Sequence, residues 1–218
     1  HSADLEALLM AIRGLQRPAA DASKGLTTLP APNNLPRTRD RFVGRATEKA
    51  TLRQWLGEER RLVTVVGTGG TGKTRLCLEV AHAALMERPD GVWWVDLSEI
   101  TTLEGLLVAV GRALGDALPD PTPEAVQRQL IARKECLLIL DNFEQISHLA
   151  ARTVGGWLDT VPDATFLVTS RHPLRLRGER IFAVSPLDPE VGAALFIERA
   201  GAINPSLSLS EDDQRDLR

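Results

Sequence analysis

The chain has 218 residues, with 26 Lys and Arg against 29 Asp and Glu, a formal net charge of −3. With 43% hydrophobic and 25% charged residues it has the composition of an ordinary folded domain, long enough for one real core and a short appendage, and its mild acidity excludes a generally basic nucleic-acid binder. Cys77 and Cys136 are too few for a disulfide framework, no run approaches the roughly 18 apolar residues of a membrane span, and His1-Ser2 does not open a signal peptide. A reducing cytoplasm is therefore the expected setting. Without an initiator Met, the His1-Ser2 start reads as that of an excised fragment.

Leu5, Leu8, Leu9 and Ile12 recur at helical spacing and predict an amphipathic helix within residues 1–16. From 17 to 40, Pro18, Pro30, Pro32 and Pro36 block regular structure, so this stretch reads as a linker or a strap on the domain surface. The main domain is expected over 41–201, with 202–218 opening a further helical domain. Within it, strand and helix alternate: helix 46–56, strand 62–66, helix 73–86, strand 92–97, helices 103–114 and 124–133, strand 136–140, helix 146–158, strands 165–169 and 181–184, and helix 189–200. The unbroken apolar run from Cys136 to Leu140 suits a central strand buried on both faces. Five strands separated by helices predict an α/β fold of three layers, a parallel sheet wrapped on both sides.

Between the first of those strands and its helix lies Gly67-Thr68-Gly69-Gly70-Thr71-Gly72-Lys73-Thr74, the pattern G-x-x-x-x-G-K-T. Glycines let successive backbone N–H groups turn inward on phosphate oxygens, and the helix that follows adds its positive end. Lys73 would reach the β- and γ-phosphates, and the Thr74 hydroxyl would ligate Mg²⁺. The same letters fit a dinucleotide fingerprint at Gly67, Gly69 and Gly72, with Asp96 about where a ribose-binding acid belongs. That alternative gives no reason for Lys73-Thr74, nor for Leu137-Leu138-Ile139-Leu140-Asp141. There, a buried strand delivers Asp141 at its carboxyl end, where it would hold Mg²⁺.

These residues resemble the nucleotide-binding domain of the signal-transduction ATPases with numerous domains (STAND, the NB-ARC-like branch), whose bacterial members include large transcriptional regulators. The resemblance runs from about Leu35 to Arg218. It implies a P-loop NTPase domain with strand order 2-3-4-1-5, binding ATP or ADP with Mg²⁺ as a regulatory switch and, at most, a slow ATPase. Phe42-Val43-Gly44-Arg45-Ala46-Thr47-Glu48 is similar to the family's h-h-G-R-x-x-E segment, which borders the adenine. Thr169-Ser170-Arg171 is similar to its T-x-R sensor, with Arg171 aimed at the γ-phosphate. Val184-Ser185-Pro186-Leu187 also matches, and Pro186 joins the implied nucleotide contacts. These are Phe42, Val43, Gly44, Arg45, Thr68, Gly69, Gly70, Thr71, Gly72, Lys73, Thr74 and Arg75.

Lys73, Asp141, Arg171 and Glu144 are the implied catalytic set, with Thr74 and Asp141 the metal ligands. Asn142 stands where many relatives carry a second acid that activates water, which leaves Glu144 as the nearest acid to orient one; Asp-Asn-Phe-Glu is usual in the bacterial subset. The Gly-x-Pro segment and winged helix that bury the nucleotide in the family are not matched within these residues. The implied partners are an adenine nucleotide, other domains of the same full-length chain and, on activation, other copies. Nucleic acid would be reached only through further domains, and no membrane contact is expected. A faster ATPase enzyme is the alternative. A GTPase would need Asn-Lys-x-Asp, which is absent, and a metabolic kinase an Arg-rich lid, which the segments between Leu103 and Arg133 do not supply.

The remaining reactive residue types point to structure. The four histidines make no H-E-x-x-H or Cys/His cluster, and Cys77 and Cys136 suit small buried positions. Trp93 and Trp94 are expected to send one ring to each face of a strand. Arg175, Arg177 and Arg180 read as a solvated basic loop.

Overall fold

The structure is a computed structural model and describes residues 31–38, 40–58, 61–115 and 118–203. The predicted helix within 1–16, the first part of the linker and residues 204–218 lie outside the described residues. In chain order the elements are α1 (Ala46–Gly57), β1 (Leu62–Val66), α2 (Lys73–Ala84), β2 (Val92–Asp96), α3 (Leu103–Ala113), α4 (Pro123–Ala132), β3 (Leu137–Asp141), a 3-10 segment (Phe143–Arg152), α5 (Val154–Thr160), β4 (Thr165–Ser170), β5 (Arg180–Ala183) and α6 (Pro189–Ile203).

The five strands form one parallel sheet in the order β2-β3-β4-β1-β5. Two-residue periodicity sorts its side chains between two cores. Leu138, Leu140, Phe166 and Val168 face α3, α4, the 3-10 segment and α5, joining Leu106, Leu130, Phe143 and Trp157. Leu137, Ile139, Leu167, Val63 and Val65 face the other way, onto Leu52 and Leu56 of α1 and Leu76, Cys77 and Val80 of α2. Leu138, Ile139 and Leu140 are each fully buried, and burial of such a side chain stabilises by about 1.5–3 kcal/mol. Trp93 and Trp94 divide between the cores as expected: Trp94 belongs to the α1–α2 side and Trp93 packs on the other.

The end of the Pro-rich stretch is a strap along the outer edge of β2. Asn33 pairs with Val92 in parallel register, Val92 N–H donates to Pro32 O, and the Asn34 amide closes on Trp94, accepting from its N–H at 2.6 Å and donating to its carbonyl at 2.8 Å. Leu35 is buried in the α1–α2 core. The strap covers backbone groups that an edge strand would leave open. Gly91 permits that approach, because a Cβ there would lie 2.7 Å from Pro32 O, and its φ of 108° already disfavours any side chain.

One expected element differs. In place of a single helix over 146–158, a 3-10 segment begins at Phe143, ends at Thr153 (φ −113°, ψ −90°) and gives way to the short α5. Phe143, Ile146 and Leu149 are buried at intervals of three, the period of a 3-10 helix. The Gly155-Gly156 pair adds little helical preference beyond the break. Among the described residues no helix is long and apolar enough to cross a bilayer.

Candidate functional site

The carboxyl ends of β1, β3 and β4 lie side by side, and the loops leaving them build the site. Gly67–Thr74 curls between β1 and α2 with Gly70 and Gly72 at φ 78° and 83°, conformations that favour glycine. At Gly67 the constraint is space instead: a Cβ would lie 2.7 Å from Val184 O. Thr71 Oγ1 donates to Thr68 O at 2.9 Å, and Lys73, nearly buried, folds back to donate from Nζ to Gly67 O at 2.9 Å and Thr68 O at 3.0 Å. The ammonium is thus held at the loop's own mouth.

Asp141, buried at the end of β3, is the hub of a polar network. Its Oδ1 accepts from Thr74 Oγ1 at 3.0 Å and from Thr169 Oγ1, while Asn142 Nδ2 donates to Oδ2 at 3.2 Å. Thr169, with no exposed surface, also accepts the Asn142 N–H at 2.9 Å. Burial pushes the Asp141 carboxyl up from its ordinary value; the Thr169 and Thr74 hydroxyls oppose this, and the charges of Asp96 and Glu144 add to it. A desolvated acid touching a hydroxyl on the neighbouring loop fits Mg²⁺. That ion is met by one or two protein oxygens, with phosphates and water completing the shell. Among the described residues, no group of three or more His, Cys, Asp or Glu side chains is placed to cage a metal instead.

Asp96 ends β2 in register with Asp141. Burial disfavours its ionisation, but the Ser98 amide and hydroxyl and the Asn142 amide outweigh that and hold it below the ordinary carboxylate range. β3 and β4 separate β2 from β1, whereas a ribose-binding acid of a dinucleotide fold ends the strand beside the glycine loop. Sheet order therefore removes the dinucleotide alternative.

A cavity of about 210 Å³ opens on the other side of the glycine loop. Phe42, Val43, Arg45, Gly70, Thr71, Gly72 and Arg75 stand on its wall, as do five residues outside the implied contact set: Asp40, Arg41, Leu187, Leu195 and Arg199. Pro186 is exposed, and its neighbour Leu187 supplies the apolar surface. Gly44, Thr68, Gly69, Lys73 and Thr74 are not on this wall; Thr74 turns to Asp141, and Lys73 to the carbonyls of Gly67 and Thr68. Gly44 (φ 73°) and Arg45 (φ 55°) form a left-handed turn, with Val191 of α6 only 2.9 Å from where a Gly44 Cβ would stand. That turn sends the Arg45 guanidinium inward, 5% exposed, to donate to Thr71 O at 2.9 Å and Ser185 O at 2.7 Å and to pair with Glu48. Arg45 thus ties the glycine loop to α1 and to the segment after β5. Phe42 lies between Lys49 and Arg75, each 5.9 Å from its ring centre.

Arg171 follows β4. Ser170 pairs with Val66, so Arg171 stands level with Gly67, and its Nε donates to Glu144 Oε1 at 3.2 Å. Both cysteines are buried: burial, and then the charge of Asp141, raise the Cys77 thiol well above its ordinary value, and burial raises Cys136 to about 11.

A family model described as an AAA domain matches residues 56–174, more than half of the chain and the span from the end of α1 past Arg171. A protein of Mycobacterium tuberculosis strain H37Rv, assigned by name only as an HTH-type transcriptional regulator, is 36% identical over 158 residues, covering 70% of this chain and 17% of its own length. The regulatory protein AfsR of Streptomyces griseus is 33% identical over 209 residues, 89% of this chain and 21% of its own. The chain thus spans about a fifth of these relatives' length. Among solved structures, the Walker-type ATPase of Pyrococcus abyssi superposes with a TM-score of 0.58 at 18% identity, covering 84% of this chain and 65% of that one, a likeness of fold. With its glycine loop, its acid-ended strand and four of the five sheet strands inside the matched span, the chain belongs to the AAA domain family of P-loop NTPases.

Proposed function

We propose that the chain is an adenine-nucleotide switch module of a larger, cytoplasmic signalling or transcriptional regulator, binding ATP and ADP with Mg²⁺ and hydrolysing ATP slowly. The observation that carries the reading is the contact between Thr74 and buried Asp141 beside an inward-folded Lys73. Together they supply a cation for phosphates and two oxygens for their metal. Phe42, Val43, Leu187 and Leu195 give the adjoining cavity an apolar lining with cations at its rim, suited to a flat, electron-rich heterocycle next to a phosphate tail.

When bound, Mg²⁺ would neutralise phosphate charge, with Thr74 and Asp141 as its protein ligands. Lys73 would exchange the carbonyls of Gly67 and Thr68 for phosphate oxygens. Asn142 is no proton acceptor, because a carboxamide is not a base; its Nδ2 donates to Asp141 and Asp96. Glu144 is engaged by Arg171. Among the described residues the site thus holds no standing base for water, and Glu144 would first have to be released from Arg171, which supports a slow switch over the alternative, an ATPase enzyme of ordinary turnover. The lengths of the named regulators support further domains beside this one, whose arrangement the nucleotide would control.

Calorimetric titration of the 218-residue chain with ATP, ADP and GDP, with and without Mg²⁺, tests the reading. Mg²⁺-dependent binding of both adenine nucleotides, tighter than GDP, is expected. Equal affinity for ADP and GDP would remove the adenine assignment, and undiminished binding in a folded Lys73→Ala variant would remove the phosphate site.

A further inference from the structure

Glu144 and Arg171, expected separately as a water-orienting acid and a γ-phosphate sensor, are bound to each other. Asn142 leaves β3 at φ 62°, and that left-handed turn puts Phe143 in the core and Glu144 in the first turn of the 3-10 segment, facing the residue that follows β4. The contact runs from Arg171 Nε to Glu144 Oε1 at 3.2 Å, and among the described residues it is the only polar contact of the Arg171 side chain. The pair is asymmetric. Arg171 is 62% exposed and Glu144 only 23%, and Glu144 Oε2 is buried without a hydrogen-bond partner. The acid is the fixed half, and the guanidinium is the half able to leave.

We infer that Glu144 sets the selectivity between nucleoside triphosphate and diphosphate, by restraining Arg171 until a γ-phosphate competes for it. The inference rests on the nucleotide reading above. Arg171 begins level with Gly67, the first residue of the glycine loop, so its guanidinium swings between the 3-10 segment and the terminal phosphate without any change in the sheet. A γ-phosphate presents several charged oxygens to a planar donor fork, against the single oxygen contacted through Nε here. A diphosphate ends one group short and leaves the pair closed. Triphosphate binding therefore breaks an ion pair that diphosphate binding keeps, which lowers the preference for triphosphate below what Arg171 alone would give. Release also frees Glu144 Oε1 beside an already unpartnered Oε2, so the acid becomes available for a water only in the triphosphate state.

A double-mutant cycle read on the ratio of triphosphate to diphosphate affinity tests this, using a non-hydrolysable ATP analogue and ADP with Mg²⁺. Glu144→Gln keeps the shape and removes the charge; Arg171→Ala removes an exposed side chain; circular dichroism confirms folding of each. In the parent, Glu144→Gln is expected to raise the ratio about two- to fivefold, the range of an exposed ion pair. In the Arg171→Ala background the same change should leave the ratio where it was. An equal rise in both backgrounds would assign the effect to repulsion between Glu144 and the triphosphate and overturn the inference, as would an unchanged ratio in the parent. Lys73→Ala separates the two levels of the argument. If the parent binds and Lys73→Ala does not, an additive cycle refutes the role of Glu144 alone. If no variant binds nucleotide, the parent included, the nucleotide reading falls and the inference with it.

Discussion

Thr169→Val exposes how much of the metal end of the site depends on one buried hydroxyl. Valine matches threonine in shape, so no cavity opens and the change is confined to hydrogen bonding. Two bonds are lost: the one Thr169 accepts from Asn142 N–H at 2.9 Å and the one it donates to Asp141 Oδ1. The first leaves a backbone donor without its acceptor, at about 1–3 kcal/mol, and the second removes a hydrogen bond to a charged group, about 1.5–3 kcal/mol. Thr74 and Asn142 still reach Asp141, so the sum is expected at about 2–4 kcal/mol. With a urea dependence near 2 kcal/mol per M, the unfolding midpoint should fall by about 1–2 M. Thr169→Ser keeps both bonds and gives up one methyl, about 1 kcal/mol. The metal-linked arm is nucleotide titration against Mg²⁺: the Val variant should need more Mg²⁺ for the same affinity, and Ser should restore the parental requirement. A Val variant within about 0.5 kcal/mol of the parent would refute the network as a structural and positioning element.

Lys73→Ala should remove a charge-assisted contact to a multiply charged ligand, weakening ATP and ADP by about 1.5–3 kcal/mol in calorimetry. Arg45→Ala should destabilise the chain by about 2–4 kcal/mol in urea melts, because it strips donors from the Thr71 and Ser185 carbonyls and unties the glycine loop from α1. Cys136, whose thiol titrates at about 11 in the folded chain against 9.0 unperturbed, keeps its proton longer folded than unfolded. Its contribution to stability is therefore full below pH 9 and falls as pH rises from about 9 to 11, by up to about 1.4 kcal/mol per unit; alkaline urea melts of Cys136→Ala against the parent check it. Hydrolysis with saturating ATP and Mg²⁺ is expected below about one turnover per minute, against roughly 10 per second for a typical enzyme. Several turnovers per second, abolished by Lys73→Ala, would make the chain an ATPase enzyme instead.

Strands were legible in this sequence wherever burial on both faces left a short run rich in apolar and β-branched residues: Leu62–Val66 is read in full, and Leu137–Asp141 differs from the reading by one residue at each end. The sheet order was not a matter of pattern, since nothing in five apolar runs says which are neighbours; it came with the resemblance and holds in the structure. The 3-10 segment was misread because Phe143, Ile146 and Leu149 at intervals of three also fall on one side of an α-helix, and only the turn at Asn142 separates the two. At the site, groups local in sequence, such as Gly67–Thr74, were readable as a unit. Contacts joining distant stretches were not: Arg45 with Ser185, Asn34 with Trp94, and Glu144 with Arg171 depend on strand register and on left-handed turns. Leu187, Leu195 and Arg199 reach the cavity wall for the same reason, as the path of α6 is a tertiary fact.

Those distant contacts bear on how the proposed switch would work. Lys73 lies on the carbonyls of its own loop, Thr74 on Asp141, Arg45 on Thr71 and Ser185, and Arg171 on Glu144. The charged groups that would meet a nucleotide thus already have partners, and ligand binding becomes an exchange of contacts with a net gain smaller than the gross contact. Exchanges at Lys73 and Thr74 would be largely shared by ATP and ADP, because both nucleotides carry a β-phosphate and only the reach of Lys73 to a γ-phosphate differs. They would mainly set affinity and bias one conformation over another little, since a ligand shifts an equilibrium only through contacts that differ between states. Arg45 is too buried to move without disturbing the loop, so it fixes the frame. Among the charged side chains of this group Arg171 alone is mostly exposed, and it stands level with the first residue of the glycine loop. On the proposed reading, discrimination between ATP and ADP would therefore fall mainly to one ion pair at the tips of β3 and β4, while the rest of the site would supply the affinity that makes reading it possible.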